Sequence, residues 1–339
     1  MDQIRFGILG AAAIAPNALI KPARQRAGVT VTAVAARDVA RATEFAARHG
    51  IDRVLPSYAE MIDDPDIDAI YIPLPNGLHG EWTIRAIKAG KHVLCEKPFT
   101  ANADEARLVA ATASKGDVVV MEAFHWRYHP MATRLIEIVQ GEIGELEHIE
   151  ASIAFPLFNR KDIRYKLDLA GGAVMDAGCY AINIVRALTG QEPEVVSAEA
   201  RLMSPEVDRI MTGQLRFPSG ATGHVMASMF STHVISLSVR ARGTTGDVRA
   251  FNPVMPKLLG SMRVRRAGQR HTERPPRSDT YGHQLDAFVA AVRDGKPFPS
   301  TAADAVRNMT VIDSMYRAAG LQPRQPTNGP VGHTNAETA

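Results

Sequence analysis

The sequence predicts a parallel α/β domain followed by an α+β domain with a large, mostly antiparallel open sheet. Three observations carry this. Apolar strand-like runs alternate with helical segments through residue 123. A glycine-bearing strand–turn–helix, GILGAAAIA, opens the chain. From Glu147 onward the apolar pattern changes to period two with few intervening helices. Alternation at these lengths implies crossover helices and hence a parallel sheet. Strands with few crossovers pair mostly antiparallel.

IRFGILG reads as a buried strand, and 15–26 as a helix whose Pro16 is tolerable in a first turn. VTVTAVAAR is the second strand, followed by an Ala-rich amphipathic helix, Val39–His49, that ends at Gly50. RVLPS is a short strand before a helix at 58–62. AIYIPLP leads to a helix at 80–89 closed by Gly90, and HVLCEKP to one at 102–115. VVVMEAF is the last strand of the unit. A helix at 130–140 follows. Then LEHIEASIAF, VVSAEARL, RIMTGQLRF, ATGHVMASM, VISLSVRARG and DVRAF alternate as strands, with the Pro-Ser-Gly of RFPSGATG marking a hairpin. One helix, 172–188, interrupts them, and two come late, at 281–293 and 301–319. The expected domains are 1–123 and 124–321. Residues 322–339, rich in Pro, Asn and Gly, read as a disordered tail.

Composition narrows the partners. At 339 residues the chain has room for two cores. A net charge of +3 is too small to argue for nucleic acid, and the basic stretch Arg263–Arg277 lacks the interleaved aromatics of a strand-binding groove. No apolar run is long enough to span a membrane, and the N-terminus has no signal-peptide pattern. Cys95 and Cys179 form no disulfide framework and read as small buried hydrophobes. A reduced, cytoplasmic setting is expected.

The residues that carry chemistry stand at strand ends. In GILGAAAIA, Gly10 allows a tight turn, Ala12 stands where a pyrophosphate faces the backbone, and Ala15 is the third small residue. The second strand ends at Ala36-Arg37-Asp38. A carboxylate at the strand end would hold the ribose of NAD. Arg37 instead suits the 2′-phosphate of NADP, with Asp38 as the N-cap of the next helix. NADP is therefore expected over NAD. Glu96-Lys97-Pro98 ends a later strand of the same sheet, so Lys97 faces the ligand. In GGAVMDAGCY, Asp176 and Tyr180 are four residues apart and share a face if helical. His125 and His129 have the same spacing but no third ligand, so no metal is expected, and His129-Pro130 reads as a helix entry.

Together GILGAAAIA, AVAARD, YIPLPNGLHGEWTIRAIKAGKHVLCEKPF, MEAFHWRYHP, DIR and GGAVMDAGCY resemble the glucose-fructose oxidoreductase / inositol dehydrogenase / MocA family. The resemblance runs from residue 4 to about 320. It leans toward the branch of dimeric dihydrodiol dehydrogenases and NADP-dependent D-xylose dehydrogenases, in which a tyrosine stands where other members have His. It implies a Rossmann domain, then a domain whose open sheet often forms a dimer interface. It implies that Lys97, Asp176 and Tyr180 surround the reacting carbon, with Tyr180 as proton acceptor and Lys97 lowering its pKa. Gly10, Ala12, Ile14 and Arg37 would hold the dinucleotide. Leu74, Asn76 and His79 would line its path, Glu96 and Lys97 would touch the nicotinamide side, and Arg164 would reach in from the second domain. Trp126 and Phe155 would wall the substrate pocket, and Tyr281 would close it. The implied protein is an NADP-dependent, homodimeric oxidoreductase of a sugar, cyclic polyol or dihydrodiol. A keto-sugar (anhydrofructose-type) reductase and a non-catalytic dinucleotide sensor are the alternatives. Two positions depart from the branch: Ala13 stands in place of a polar or basic residue, which removes one possible 2′-phosphate contact, and Lys166 in place of a less basic one, so substrate specificity is not carried over.

Overall fold

The computed structural model describes residues 3–230 and 235–327. The first unit runs β1 (Ile4–Leu9), α1 (Lys21–Arg24), β2 (Val29–Ala35), α2 (Val39–His49), β3 (Arg53–Leu55), α3 (Tyr58–Asp63), β4 (Ala69–Ile72), α4 (His79–Lys88), β5 (His92–Cys95), α5 (Ala103–Ala113) and β6 (Val120–Glu122). Its six strands are all parallel, in the order β3-β2-β1-β4-β5-β6. The chain reverses its direction of winding between β1 and β4, and in such sheets the ligand crevice lies beyond the strand carboxyl ends at that point. Local chemistry sets the boundaries. Asp38 caps α2 by accepting the Arg41 backbone N–H at 3.1 Å, and Gly50, at φ 55°, ends it.

The second unit adds α6 (Pro130–Glu137), β7 (Leu146–Ala154), α7 (Cys179–Thr189), β8 (Glu194–Ser204), β9 (Val207–Arg216), β10 (Thr222–Ser228), β11 (Ser236–Gly243), β12 (Gly246–Phe251), β13 (Ser261–Arg266), β14 (Gln269–Glu273), α8 (Thr280–Asp294) and α9 (Ala302–Ala318). The strands form an eight-stranded sheet, β14-β13-β12-β11-β7-β10-β9-β8, antiparallel except for the β7–β10 pair. The expected large, mostly antiparallel sheet is present. Period two sorts its faces: Ala151, Val225, Val239, Val248 and Val264 are buried on one face, while Arg240, Arg249 and Arg263 are exposed on the other.

Two expectations need correction. Of the last two helices, α8 does not stay with the second sheet, and α9 packs against both β8 and the first unit's α5. Phe288 of α8 packs 5.4 Å from Phe6 of β1, Thr301 bridges Met121, and α9 lies against α5, so α8 completes the first core. Nor do residues 322–327 behave as a disordered tail. Arg324 is 1% exposed, ion-paired to the buried Asp208 at 2.9 Å, donating to Gly171 O at 2.6 Å and lying over the Tyr316 ring. A buried guanidinium with a full set of partners anchors the segment. Thr327 then reaches the first unit through its N–H to Gly77 O, 2.8 Å. Residues 328–339 lie outside the described residues.

Candidate active site

A cleft of about 1760 Å³ lies at the carboxyl ends of β1, β2, β4 and β5. A pocket for one small ligand is typically about 300–1,000 Å³, so this cleft has room for a dinucleotide and a small substrate. Gly10, Ala12, Ile14, Arg37, Leu74, Asn76, His79, Glu96, Lys97, Arg164, Phe155, Asp176, Tyr180 and Tyr281 all border it.

The dinucleotide end is built on β1. Gly10 has φ 97°, a region that strains any side chain, and a Cβ there would sit 3.1 Å from Leu74 Cδ2. Its N–H is tied to Ala35 O at 2.6 Å. The backbone of Ala11–Ile14 is thereby left facing the cleft, with Ile14 exposed. Beside this turn stand Arg37 and Arg41. Arg41 Nη2 donates to Ala11 O at 2.9 Å, so one guanidinium both braces the turn and borders the cleft. The strand end itself is Ala36, and Asp38 Oδ1 is engaged as the helix cap. Two cations and no free carboxylate at the ribose position fit a 2′-phosphorylated dinucleotide.

The opposite wall is the loop after β4. Asn76 Nδ2 donates to Ala170 O at 3.1 Å, linking it to the second unit. His79 borders the cleft, but its ring nitrogens face Pro98 O at 2.7 Å and Leu74 O at 2.8 Å. Burial pushes its pKa down to about 4, and the lone neutral N–H serves one of those carbonyls. His79 therefore shapes the loop and presents no free nitrogen to a ligand.

At the inner end β5, buried over Val93–Cys95, delivers Glu96 and Lys97. Glu96 accepts from Tyr71 Oη at 2.7 Å. Lys97 Nζ donates to Asp176 Oδ1 at 3.0 Å and to Asp176 O at 3.2 Å, while Arg164 Nε holds Oδ2 at 3.0 Å. Burial opposes the Asp176 charge, but these two cations keep its carboxyl below the usual range. Burial likewise opposes the Lys97 ammonium, and Asp176 outweighs it, so its pKa is raised. The glycines of GGAVMDAGCY make the arrangement possible. Gly171 and Gly172 donate to Lys166 O and Arg164 O, both at 2.9 Å, and a Cβ on Gly171 would lie 2.6 Å from Arg164 O. A π-helical turn, Val174–Gly178, leads into α7, and a Cβ on Gly178 would lie 3.1 Å from Ala227 on β10.

Tyr180 sits against this pair, but its hydroxyl does not meet Lys97. The ammonium lies over the ring, 5.1 Å from its centre, while Tyr180 Oη lies 3.0 Å from His125 Nε2. Burial, then Tyr281 and Glu96, raise the phenol pKa well above its ordinary value. The expected lowering by Lys97 is not what this arrangement gives, because Asp176 already balances that charge. Trp126 is a second correction. It is fully buried, its Nε1 donates to Asn183 Oδ1 at 3.0 Å, and it does not border the cleft. His125 does. The two residues lie in a 3₁₀ turn, His125–Tyr128, where successive side chains point about 120° apart. The sequence reading also missed Arg41, whose signal was its position one turn into α2, and the 322–327 segment that borders the cleft. Among the described residues, no group of three or more His, Cys, Asp or Glu is placed to hold a metal.

Residues 4–124 match the family model described as an oxidoreductase family with an NAD-binding Rossmann fold, GFO/IDH/MocA, and residues 131–249 match the GFO/IDH/MocA C-terminal domain. The chain belongs to this family. It is 38% identical over 318 residues to D-xylose 1-dehydrogenase (NADP(+)) 2 of Haloferax volcanii, covering 93% of this chain and 97% of that one. It is 32% identical to trans-1,2-dihydrobenzene-1,2-diol dehydrogenase of Sus scrofa, over 74% of this chain and 75% of that one. Among solved structures it resembles KijD10, a 3-ketoreductase from Actinomadura kijaniata in complex with NADP and TDP-benzene. The TM-score is 0.86 at 30% identity, over 93% of this chain and 98% of that one. The family and the branch expected from the motifs are both recovered.

Proposed function

We propose that this family member is an NADP-dependent oxidoreductase acting on a CH–OH group of a sugar or related cyclic polyol. The observation that carries the reading is the Lys97–Asp176–Tyr180 cluster, set in one cleft with the Gly10 turn and the Arg37–Arg41 pair. Bound NADP supplies the hydride chemistry. Arg37 and Arg41 are suited to its 2′-phosphate, and the Ala11–Ile14 backbone to its pyrophosphate. Asp176, held by Lys97 and Arg164, orients a substrate hydroxyl. Tyr180 exchanges the hydroxyl proton, and Phe155 with Tyr281 keeps water from the reacting carbon. Assaying NADPH formation on pentoses, hexoses, inositols and dihydrodiols tests this. Turnover with NADP on at least one is expected, and none on any, despite tight NADP binding, rejects it in favour of a sensor. The likeness to a 3-ketoreductase keeps the reverse reaction, keto-sugar reduction, as a second reading.

The same proposal extends to assembly and location. Across the exposed sheet face, Glu150, Arg240, Arg249 and Arg263 stand opposite one another on β7, β11, β12 and β13. Adjacent arginines repel, and a second copy bringing acidic residues such as Glu199 of β8 would relieve this in a homodimer. Light scattering should give twice 36.7 kDa, and a monomer at low micromolar concentration refutes the dimer. Two buried free thiols, Cys95 and Cys179, fit a reducing cytoplasm.

A further inference from the structure

The proton-handling end of the cleft contains a residue that the proposed chemistry has not used. His125 lies between two hydroxyls: Tyr180 Oη is 3.0 Å from its Nε2, and Thr280 Oγ1, at the start of α8, is 2.8 Å from its Nδ1. It is buried, packed at a tilt against Tyr281 with ring centres 4.2 Å apart, and borders the cleft. We propose that His125 is a positioning residue for the acid–base step, a neutral imidazole that donates Nε2–H to the Tyr180 oxygen while Thr280 donates to Nδ1. This rests on the reading of Tyr180 as the acid–base group.

Two proton arrangements are compatible with these distances. In one, the phenol donates to Nε2 and Nδ1–H donates to Thr280. The phenol proton then points away from the cleft, and releasing it would create an imidazolium. Burial, with Lys97 nearby, holds His125 neutral down to about pH 3, which disfavours that ion. In the other, Nε2–H donates to the phenol oxygen and the phenol proton is free to face the cleft. Its loss leaves a phenolate that keeps one charge-assisted hydrogen bond, and the imidazole stays neutral throughout.

The surroundings make that bond matter. The groups facing the Tyr180 oxygen and its ring are Glu96, Asp176, Tyr281 and Cys179, all of which oppose a phenolate, and Lys97, whose charge is matched by Asp176. Among the described residues, His125 is the only side chain within hydrogen-bond distance of that oxygen. The proton balance is simple. In oxidation the substrate hydroxyl proton moves to the phenolate oxygen as the C–H hydride leaves to the nicotinamide. In reduction both reverse, and His125 neither gains nor loses a proton in either direction.

Two measurements test this. The first is long-range ¹H–¹⁵N correlation of the histidine-labelled protein, with His125 assigned by its absence in His125→Gln. The Nε2–H tautomer is expected, and the Nδ1–H tautomer overturns the proposal without any need for a substrate. The second is the pH profile of kcat/KM for D-xylose oxidation by NADP, followed from about pH 6 to the highest pH at which the enzyme stays folded, with activity rising as the phenol ionises. His125→Phe keeps the ring packing but has no donor, and should move the rising limb, where the phenol ionises, up by about one to two pH units. His125→Gln, whose amide reaches the Nε2 position, should restore it. Thr280→Ser should match the wild type, and Thr280→Val should shift partway. A His125→Phe enzyme with lower kcat but an unmoved limb overturns the proposal, because packing alone would then account for the loss. If His125→Phe fails to fold, the Thr280→Val and Thr280→Ser comparison decides by the same limb. If D-xylose is not turned over, the tautomer decides. Near wild-type turnover in Tyr180→Phe would instead remove the underlying reading of Tyr180, whatever His125 does.

Discussion

Asp176→Asn removes one carboxylate from between two cations, Lys97 Nζ and Arg164 Nε, each at 3.0 Å. Leaving a buried charge without its partner costs about 3–5 kcal/mol. Here the loss is smaller, since the Arg164 side chain is 42% exposed and water can replace the carboxylate. With that discount the variant should lose roughly 2–3 kcal/mol, or about 4–6 °C in Tm at neutral pH. The pH dependence follows from the direction of the shift. The folded-state pKa of Asp176 is depressed, so its contribution is present above the unfolded value near ~4 and is lost as pH falls through the lower folded value. The gap between wild type and variant should therefore close on acidification. Urea titrations across that range, at constant ionic strength, read it. Equal stability at pH 7, or a gap undiminished well below pH 4, would show that the carboxylate is not the keystone of this cluster.

Arg37→Ala should weaken NADP binding about 10- to 100-fold while leaving NAD affinity unchanged, because one charge-assisted phosphate contact contributes about 1.5–3 kcal/mol. Arg41→Ala should weaken both, since that guanidinium also braces the Gly10 turn through Ala11 O. Dissociation constants for the two cofactors distinguish these outcomes. Glu122 is fully buried, with Oε1 on the Phe99 N–H at 2.9 Å, Oε2 without a partner among the described residues, and its pKa pushed up to about 8 by burial. The unfolded chain ionises first, so stability should fall as pH rises from about 4.5 to 8, by up to ~1.4 kcal/mol per unit. Melting curves of Glu122→Gln should be flatter across that window, and an identical slope would contradict the assignment.

Local chemistry made much of the fold and part of the site legible in the sequence. The strand–turn–helix at Gly10, the Asp38 cap and the lysine at the end of β5 each depend on neighbours within a few residues. Asp176 and Tyr180 were readable from their four-residue spacing, while the close approaches at Gly171 and Gly178 that seat them came only with the structure. What escaped reading depends on contacts across the chain. Residues 322–327 look like a tail by composition, yet Arg324 is buried because Asp208, more than a hundred residues away, waits for it. The return of α8 to β1 has no local signal, only an apolar Phe288 that could have packed anywhere. His125 and Trp126 were exchanged because a 3₁₀ turn, unlike a helix or strand, has no periodicity long enough to reveal which side chain faces the cleft. The balance of Lys97 against Asp176 rather than Tyr180 was set by atomic distances that spacing alone does not encode.

The central claim is that Tyr180 exchanges the substrate proton in an NADP-dependent reaction at this cleft. Its most direct test is the turnover of Tyr180→Phe, with NADP and whichever sugar or polyol the wild type oxidises fastest. Removing a general acid–base group costs about 10²–10⁴ in rate. The variant should therefore lose at least a hundredfold in kcat, with its NADP dissociation constant unchanged, because the phenol oxygen bonds His125 and its proposed role is toward substrate, not the dinucleotide. A kcat near the wild-type value, with NADP still bound, would contradict the account and transfer the role to Lys97.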